Sequence, residues 1–311
     1  MRYSLLSRFQ GTFCGSVLGE LLGLNLPGLP KGQFPPISIS GGWYDFAIAS
    51  TDHLLKANST ERVATSPSPA ALGAIVPVAC FYHENRLLLH KQLASLGQSY
   101  AFTPEIQLNA VILSQILALI FKEQLLVPLN VLPQLTEQFH AELEHLDSKE
   151  LLPQLHHLQT LLEQGATLEA VESQLSHPCT ATLSMLRALY CFLSTPEDFR
   201  LVVLRAARTS KTPQLTSAIA GMLAGAYNSF SGIPLSWRLG WHKLSHAQGT
   251  PPDIRHLSQL AHHLWAAWSG SYYAIAPALQ SKDDGNLVSD PVFLNVAQLS
   301  AIAAPQTLRP R

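Results

Sequence analysis

Four glycines spaced four residues apart are the feature of this chain that most restricts its fold. Residues 5–24 have apolar side chains at helical spacing, and Gly11, Gly15, Gly19 and Gly23 lie among them. This spacing places all four glycines on one face of a helix. Each glycine costs a helix about 1 kcal/mol relative to alanine, so a row of four needs a compensating contact. We therefore predict a helix whose glycine face lies directly against another backbone or a ligand.

Helical patterns occupy most of the remaining sequence, and we predict an all-α protein. The predicted helices cover residues 44–57, 70–83, 104–123, 131–146, 149–163, 168–175, 181–193, 196–208, 213–229 and 254–268. Thr103 before Pro104 and Thr212 before Pro213 have the cap-and-proline pattern of a helix start. Pro77 should kink the helix around it or shorten it to a turn. No alternating pattern is long enough to define a sheet.

Composition favours one large soluble domain. Hydrophobic residues make up 47% of the 311 residues and charged residues 13%, which is enough apolar material for a large core. We assign residues 1–275 to this all-α domain. Residues 276–311 are interpreted as a C-terminal tail that is loosely ordered or docked on the surface.

The charge and hydropathy of the chain argue against several classes of partner. The formal net charge is −1, so no basic excess is present to attract nucleic acid. The apolar run 108–121 is shorter than the roughly 18 residues that span a bilayer, and we interpret it as a core helix. No secretory signal is recognisable, so we expect a cytoplasmic protein. The four cysteines lie in apolar surroundings and are expected to be buried and reduced.

Four sequence blocks, in the same order, resemble the ADP-ribosylglycohydrolase family of the dinitrogenase-reductase-activating type. They are 8–23 (RFQGTFCGSVLGELLG), 42–57 (GWYDFAIASTDHLLKA), 68–82 (SPAALGAIVPVACFY) and 188–237, which contains AIAGMLAGA followed by S-x-I-P-x-x-W. The resemblance implies an orthogonal multi-helix bundle and a hydrolase that acts on glycosyl bonds. It also implies two divalent ions, Mg²⁺ or Mn²⁺, if the family activity survives, and ADP-ribose or an ADP-ribosylated protein as ligand.

The resemblance places a ligand-binding cleft at Glu20, Asp45, Thr212 and Gln214. Glu20 corresponds to a family aspartate, and Asp45 lies in the block where the family has metal-binding aspartates. Thr212 and Gln214 stand where the family has two more such aspartates, but magnesium prefers anionic oxygen ligands. Asp45 is therefore the one candidate metal ligand, because Asp52 lies about 10 Å farther along the same helix. We expect a degenerate metal site.

Three functional hypotheses remain open from the sequence. The first is a pseudoenzyme that keeps a pocket for an ADP-ribose-like molecule or binds an ADP-ribosylated protein. The second is an active glycohydrolase with an altered metal site, which requires at least three carboxylates close together. The third is a structural or regulatory protein whose former cleft is filled by Tyr44, Phe46 and Leu215.

Overall fold

The computed structural model describes residues 3–25, 42–56, 68–125, 131–134, 151–248 and 254–270, and these residues form helices and connecting turns without a strand. The α-helices are Leu5–Asn25 (α1), Trp43–Lys56 (α2), Ile75–Tyr82 (α3), Arg86–Ser99 (α4), Pro104–Phe121 (α5), Leu151–Glu163 (α6), Leu168–Gln174 (α7), Thr180–Ser194 (α8), Phe199–Ala206 (α9), Pro213–Asn228 (α10), Leu235–Gln248 (α11) and Ile254–Ser269 (α12). Two 3₁₀ helices cover Pro69–Ala74 and Phe230–Gly232. The all-α prediction is confirmed.

Helices α1 and α10 lie against each other along most of their lengths. A Cβ atom added to Gly11 would lie 2.2 Å from the carbonyl oxygen of Gly225, and one added to Gly225 would lie 2.0 Å from that of Gly11. Gly15 and Gly221 repeat the arrangement one turn along, with distances of 2.4 and 2.2 Å. Since these distances are far shorter than any van der Waals contact, only glycine fits. The predicted contact of the glycine row is confirmed, and its partner is the backbone of α10.

One predicted helix start has the predicted cap, and another predicted helix is divided in two. The Thr103 hydroxyl accepts a hydrogen bond from the Ile106 N–H at 3.4 Å, and α5 follows with proline in its first turn. The predicted helix 70–83 is divided at Ile75 into a 3₁₀ helix and α3. Pro77 is the third residue of α3, a first-turn position where its missing N–H breaks no helical bond.

Several boundaries differ from the sequence-based prediction. Helices α4 and α11 were not predicted, although Asn85 caps α4 by accepting the Leu88 N–H at 3.0 Å. The start predicted at residue 196 is wrong, because Asp198 is the cap of α9 and accepts the Leu201 N–H at 2.9 Å. The predicted helix 131–146 beyond residue 134, and the tail 276–311, lie outside the described residues.

Helix α5 lies in the interior of the bundle. It is long and apolar enough, by length and composition, to cross a membrane, but 72% of it is buried inside the protein. It packs against α3, α4 and α8. The interpretation of this segment as a core helix is confirmed. Cys14, Cys80 and Cys191 are buried and free, whereas Cys179 is free and partly exposed.

Candidate functional site

Glu20 lies at the junction of three helices. Its side chain is 1% exposed, near the end of α1. Its carboxylate accepts hydrogen bonds from the Trp43 N–H at 2.8 Å and the Tyr44 N–H at 3.4 Å, both in the first turn of α2. The Gln214 side-chain amide, in the first turn of α10, donates to the same carboxylate at 3.0 Å. The chain thus brings together Glu20, Gln214 and the start of α2.

Opposing effects act on the pKa of the Glu20 carboxyl. Burial raises the pKa of its carboxyl, since water no longer solvates the charge. The hydrogen bonds from Trp43, Gln214 and Tyr44 oppose that shift, and the nearby Asp45 charge adds to it. Ionised Glu20 therefore depends on three N–H donors for its stability. One of these donors, Gln214, stands at a position where the resemblance expects an acidic metal ligand.

Asp45 is partly buried in the first turn of α2. Burial, followed by the charge of Asp45, raises the pKa of the neighbouring Tyr44 hydroxyl. Asp52 belongs to the same helix, two turns farther along, so the two carboxylates are about 10 Å apart along the helix axis. Asp45 is consequently close to Glu20 but not to a second carboxylate of its own helix.

Thr212 is the N-cap residue of α10, but it does not cap that helix with its side chain. Its φ of 52° lies in the left-handed region, which a β-branched residue adopts only with strain. Its hydroxyl lies 2.5 Å from the Ser184 hydroxyl of α8 and also donates to the Lys211 carbonyl at 2.7 Å. The sequence-based assignment of Thr212 as a side-chain cap is therefore wrong. Its polar contacts are directed to α8 and not to Glu20.

The residues proposed to fill a former cleft have separate environments. Phe46 is buried against Tyr100 at a ring distance of 5.5 Å, in a small cluster beside the 3₁₀ helix Pro69–Ala74. The Tyr44 hydroxyl lies 3.4 Å from Nδ1 of His256 on α12. Leu215 is partly buried against the main core. Phe46 therefore belongs to a different cluster from Tyr44 and Leu215, which both pack against the main core.

One groove of about 500 Å³ is found elsewhere, between α1, the second 3₁₀ helix and α12. Its walls include Gln10, Phe230, Ile254 and His262. None of the four cleft residues named from the sequence lines it.

The donor set around Glu20 does not fit a dinuclear metal centre. Each ion of such a centre needs about six oxygen ligands, several of them anionic. Here the Gln214 side-chain amide donates a hydrogen bond to Glu20, and the Thr212 hydroxyl is hydrogen-bonded to the Ser184 hydroxyl. Within the ranges that the structure describes, no group of three His, Cys, Asp or Glu side chains is arranged to hold a metal ion.

Two polar residues beside this site were not identified from the sequence. Ser184 contacts Thr212, and Arg187 donates from Nη1 to the Lys211 carbonyl at 3.4 Å. They lie one turn apart on α8 and face the loop that leads into α10. Neither a contact with a backbone carbonyl nor one between two hydroxyls leaves a pattern in the sequence, so no motif indicated either residue.

Fold and site together define a bundle of α-helices with a buried carboxylate, Glu20, where three of the helices meet. The family model described as ADP-ribosylglycohydrolase matches residues 47–274. That match covers more than half of the chain and includes Thr212 and Gln214, and it begins after Glu20 and Asp45. The chain belongs to the ADP-ribosylglycohydrolase family.

Solved structures support the same fold. Thirty-one chains match, and one of them is described as an ADP-ribosylglycohydrolase-related protein complex. That chain is 18% identical with a TM-score of 0.53, and the match covers 84% of this chain and 98% of that one. At this identity the likeness supports the fold alone, and it agrees with the predicted bundle. No curated protein matches the sequence.

Proposed function

We propose that this chain is an ADP-ribosylglycohydrolase-family protein that does not carry out the dinuclear-metal catalysis of its family and acts by binding. The hydrogen bond from Gln214 to Glu20 is the observation that carries the proposal. A divalent cation and an amide N–H group satisfy a carboxylate in the same way, by placing positive charge against its oxygens. Gln214 therefore supplies locally, without a metal, what Glu20 needs in order to remain buried.

Hydrolysis by a two-metal site requires water polarised between two cations. Asp45 and Glu20 are the two carboxylates near the start of α2, and Glu20 already accepts three N–H groups. Adding a cation would require Gln214 to turn away and would leave the cation with few anionic ligands. The ligand class that we assign to the protein is an ADP-ribose-like molecule or an ADP-ribosylated protein, held without turnover.

Calorimetric titration with Mn²⁺ and Mg²⁺, with and without ADP-ribose, tests the loss of the metal centre. The wild type should show no micromolar metal binding. The double variant Thr212→Asp/Gln214→Asp restores the charges that the resemblance places there, and it should bind Mn²⁺ at least tenfold more tightly. The matched control Thr212→Asn/Gln214→Asn has the same shape without the charge and should behave like the wild type.

Wild-type binding of metal at micromolar concentration that disappears in Asp45→Asn would overturn the proposal. A second arm measures release of ADP-ribose from ADP-ribosylated peptides, with several linkages, in excess Mn²⁺. Turnover above the level of a protein-free blank would favour the alternative, an active glycohydrolase with an altered metal site.

A further inference from the structure

Arg187 is a buried cation in the middle of α8. Its side chain is 2% exposed, although a guanidinium remains charged at all ordinary pH values. Burial lowers its pKa, and the attraction of Glu172 only partly compensates. The one hydrogen bond that it donates, from Nη1 to the Lys211 carbonyl, is long at 3.4 Å, and its Nε–H has no partner. A buried charge in this condition lacks the compensation that folded proteins normally provide.

Arg8 shows how the same protein treats another buried arginine. It is 7% exposed, and its Nη1 donates to the Ile120 carbonyl at 2.9 Å. Its Nη2 forms an ion pair with Glu123 at 2.8 Å. Among the described residues Arg187 forms no such ion pair: Glu172 attracts it electrostatically, but the hydrogen bond of that carboxylate is with the Ser210 N–H at 2.6 Å. The difference between the two arginines is a directly bonded anion.

The Arg187 guanidinium lies against the loop that leads into α10. Residues 210–212 of this loop are exposed, and they include the cationic Lys211. The loop enters a helix of sixteen residues whose N-cap side chain makes no cap bond. The Gln214 and Leu215 N–H groups of its first turn are therefore available to an external acceptor, and the helix dipole favours negative charge there.

We propose that Arg187, Lys211 and the first turn of α10 form a binding site for a phosphate group. A phosphate has several oxygen acceptors around one centre, which suits a guanidinium, an ammonium and backbone N–H groups on neighbouring segments of the chain. Neither nearby carboxylate is hydrogen-bonded to Arg187, since Glu20 accepts from Trp43, Tyr44 and Gln214 and Glu172 accepts from the Ser210 N–H. The anion completes the pairing that Arg187 lacks.

The proposal deepens the proposed function, because it names the chemical group that this end of the bundle recognises, and it rests on binding there without a metal. The pseudoenzyme assignment and the phosphate site would be refuted by different results. Metal binding or turnover would end the pseudoenzyme assignment, whereas the phosphate site is measured in EDTA and does not depend on that result.

Titration with inorganic phosphate at constant ionic strength, with chloride as the replaced anion and EDTA present, is the direct test. Phosphate should raise the melting temperature of the wild type and give a saturable isotherm by calorimetry. Arg187→Met, which is apolar and similar in shape, should lose the phosphate-dependent shift. Arg187→Lys keeps the charge but lacks Nε–H and the planar fork, and it should bind phosphate at least tenfold more weakly.

Arg208→Gln is the matched control, because Arg208 is an exposed cation near the same loop. It should keep phosphate affinity within about threefold of the wild type, as expected for a screened surface charge. ADP and ADP-ribose form further arms. Affinity for either that is tenfold above that for inorganic phosphate identifies a nucleotide as the source of the phosphate, and equal affinity identifies the free anion.

Two results would overturn the proposal. One is a wild-type response to phosphate no larger than the response to chloride. The other is phosphate affinity in Arg187→Lys or Arg187→Met equal to that of the wild type. If Arg187→Met does not fold, the wild-type isotherm and the lysine variant still decide the question.

Discussion

Replacing Gln214 by glutamate tests the contact on which the functional proposal depends. The substitution keeps the shape of the side chain but sets a carboxylate oxygen where the amide nitrogen lies, 3.0 Å from the Glu20 oxygen. At that distance two charges repel by about 5 kcal/mol even at an effective dielectric constant near 20. The folded protein avoids this by holding one proton between the two carboxylates, and the proton also restores the hydrogen bond.

The destabilisation caused by Gln214→Glu is then the free energy needed to keep that proton bound at a pH where glutamate is normally ionised. Glutamate in an unfolded chain has a pKa of about 4.3, and each pH unit above it costs about 1.36 kcal/mol. The folded pair has its pKa raised above the unfolded value, so stability is retained below about pH 4.3 and lost as pH rises. Relative to the wild type, the variant should be destabilised by about 3 to 4 kcal/mol at pH 7 and about 1 kcal/mol at pH 5.

Urea denaturation between pH 5 and pH 8, in EDTA, measures this difference. Gln214→Met removes the donor without adding charge, so it should be destabilised by about 1 to 3 kcal/mol with little dependence on pH. A Gln214→Glu variant whose destabilisation does not change between pH 5 and pH 8 would refute the reasoning. It would mean that residue 214 does not face Glu20 in the folded protein.

Three further predictions concern a glycine contact between helices, a buried histidine and the cysteines. Gly225→Ala adds a Cβ atom 2.0 Å from the Gly11 carbonyl oxygen and should destabilise the protein by about 3 kcal/mol or more in urea denaturation; a loss below about 1 kcal/mol would contradict direct backbone contact. Burial lowers the pKa of His83 to about 4, so the wild type should lose up to about 3 kcal/mol as pH falls from 6.5 to 4, and His83→Phe should lack this loss. In a native thiol assay, partly exposed Cys179 should react well before the three buried cysteines, whose pKa values are raised by burial.

The part of the fold that the sequence predicted is the part that depends on close contact between backbones. The glycine row of α1 indicated a close backbone contact, and the contact is with α10. Helix α4 was missed because leucines occupy both of its faces. Leu87 is 83% exposed beside buried Leu89, so the run of leucines hides the helical period. In α11 the cause is different, because Leu235 and Leu239 are 60% and 52% exposed and therefore do not mark a buried face.

The site was predictable only in part. The resemblance placed Glu20, Asp45 and Gln214 together, and the structure brings Glu20 to Gln214 and to the first turn of α2. It could not reveal that Gln214 acts as a donor, because that depends on which way the amide faces. Arg187 was not identified, since its partner is a backbone carbonyl and its lack of a directly bonded anion among the described residues is visible only in three dimensions.

The packing of α1 against α10 combines backbone contacts with one polar side-chain contact. Glycines and carbonyl oxygens meet at Gly11–Gly225 and Gly15–Gly221, and Gln214 in the first turn of α10 donates to Glu20 of α1. A buried Glu20, however, needs positive charge or N–H donors whether or not a metal is bound. A side chain without a donor at position 214 would leave that carboxylate with one hydrogen bond fewer in the core. Glutamine carries no negative charge and supplies the donor, which is why the proposed function assigns to Gln214 the compensation that a cation would otherwise give.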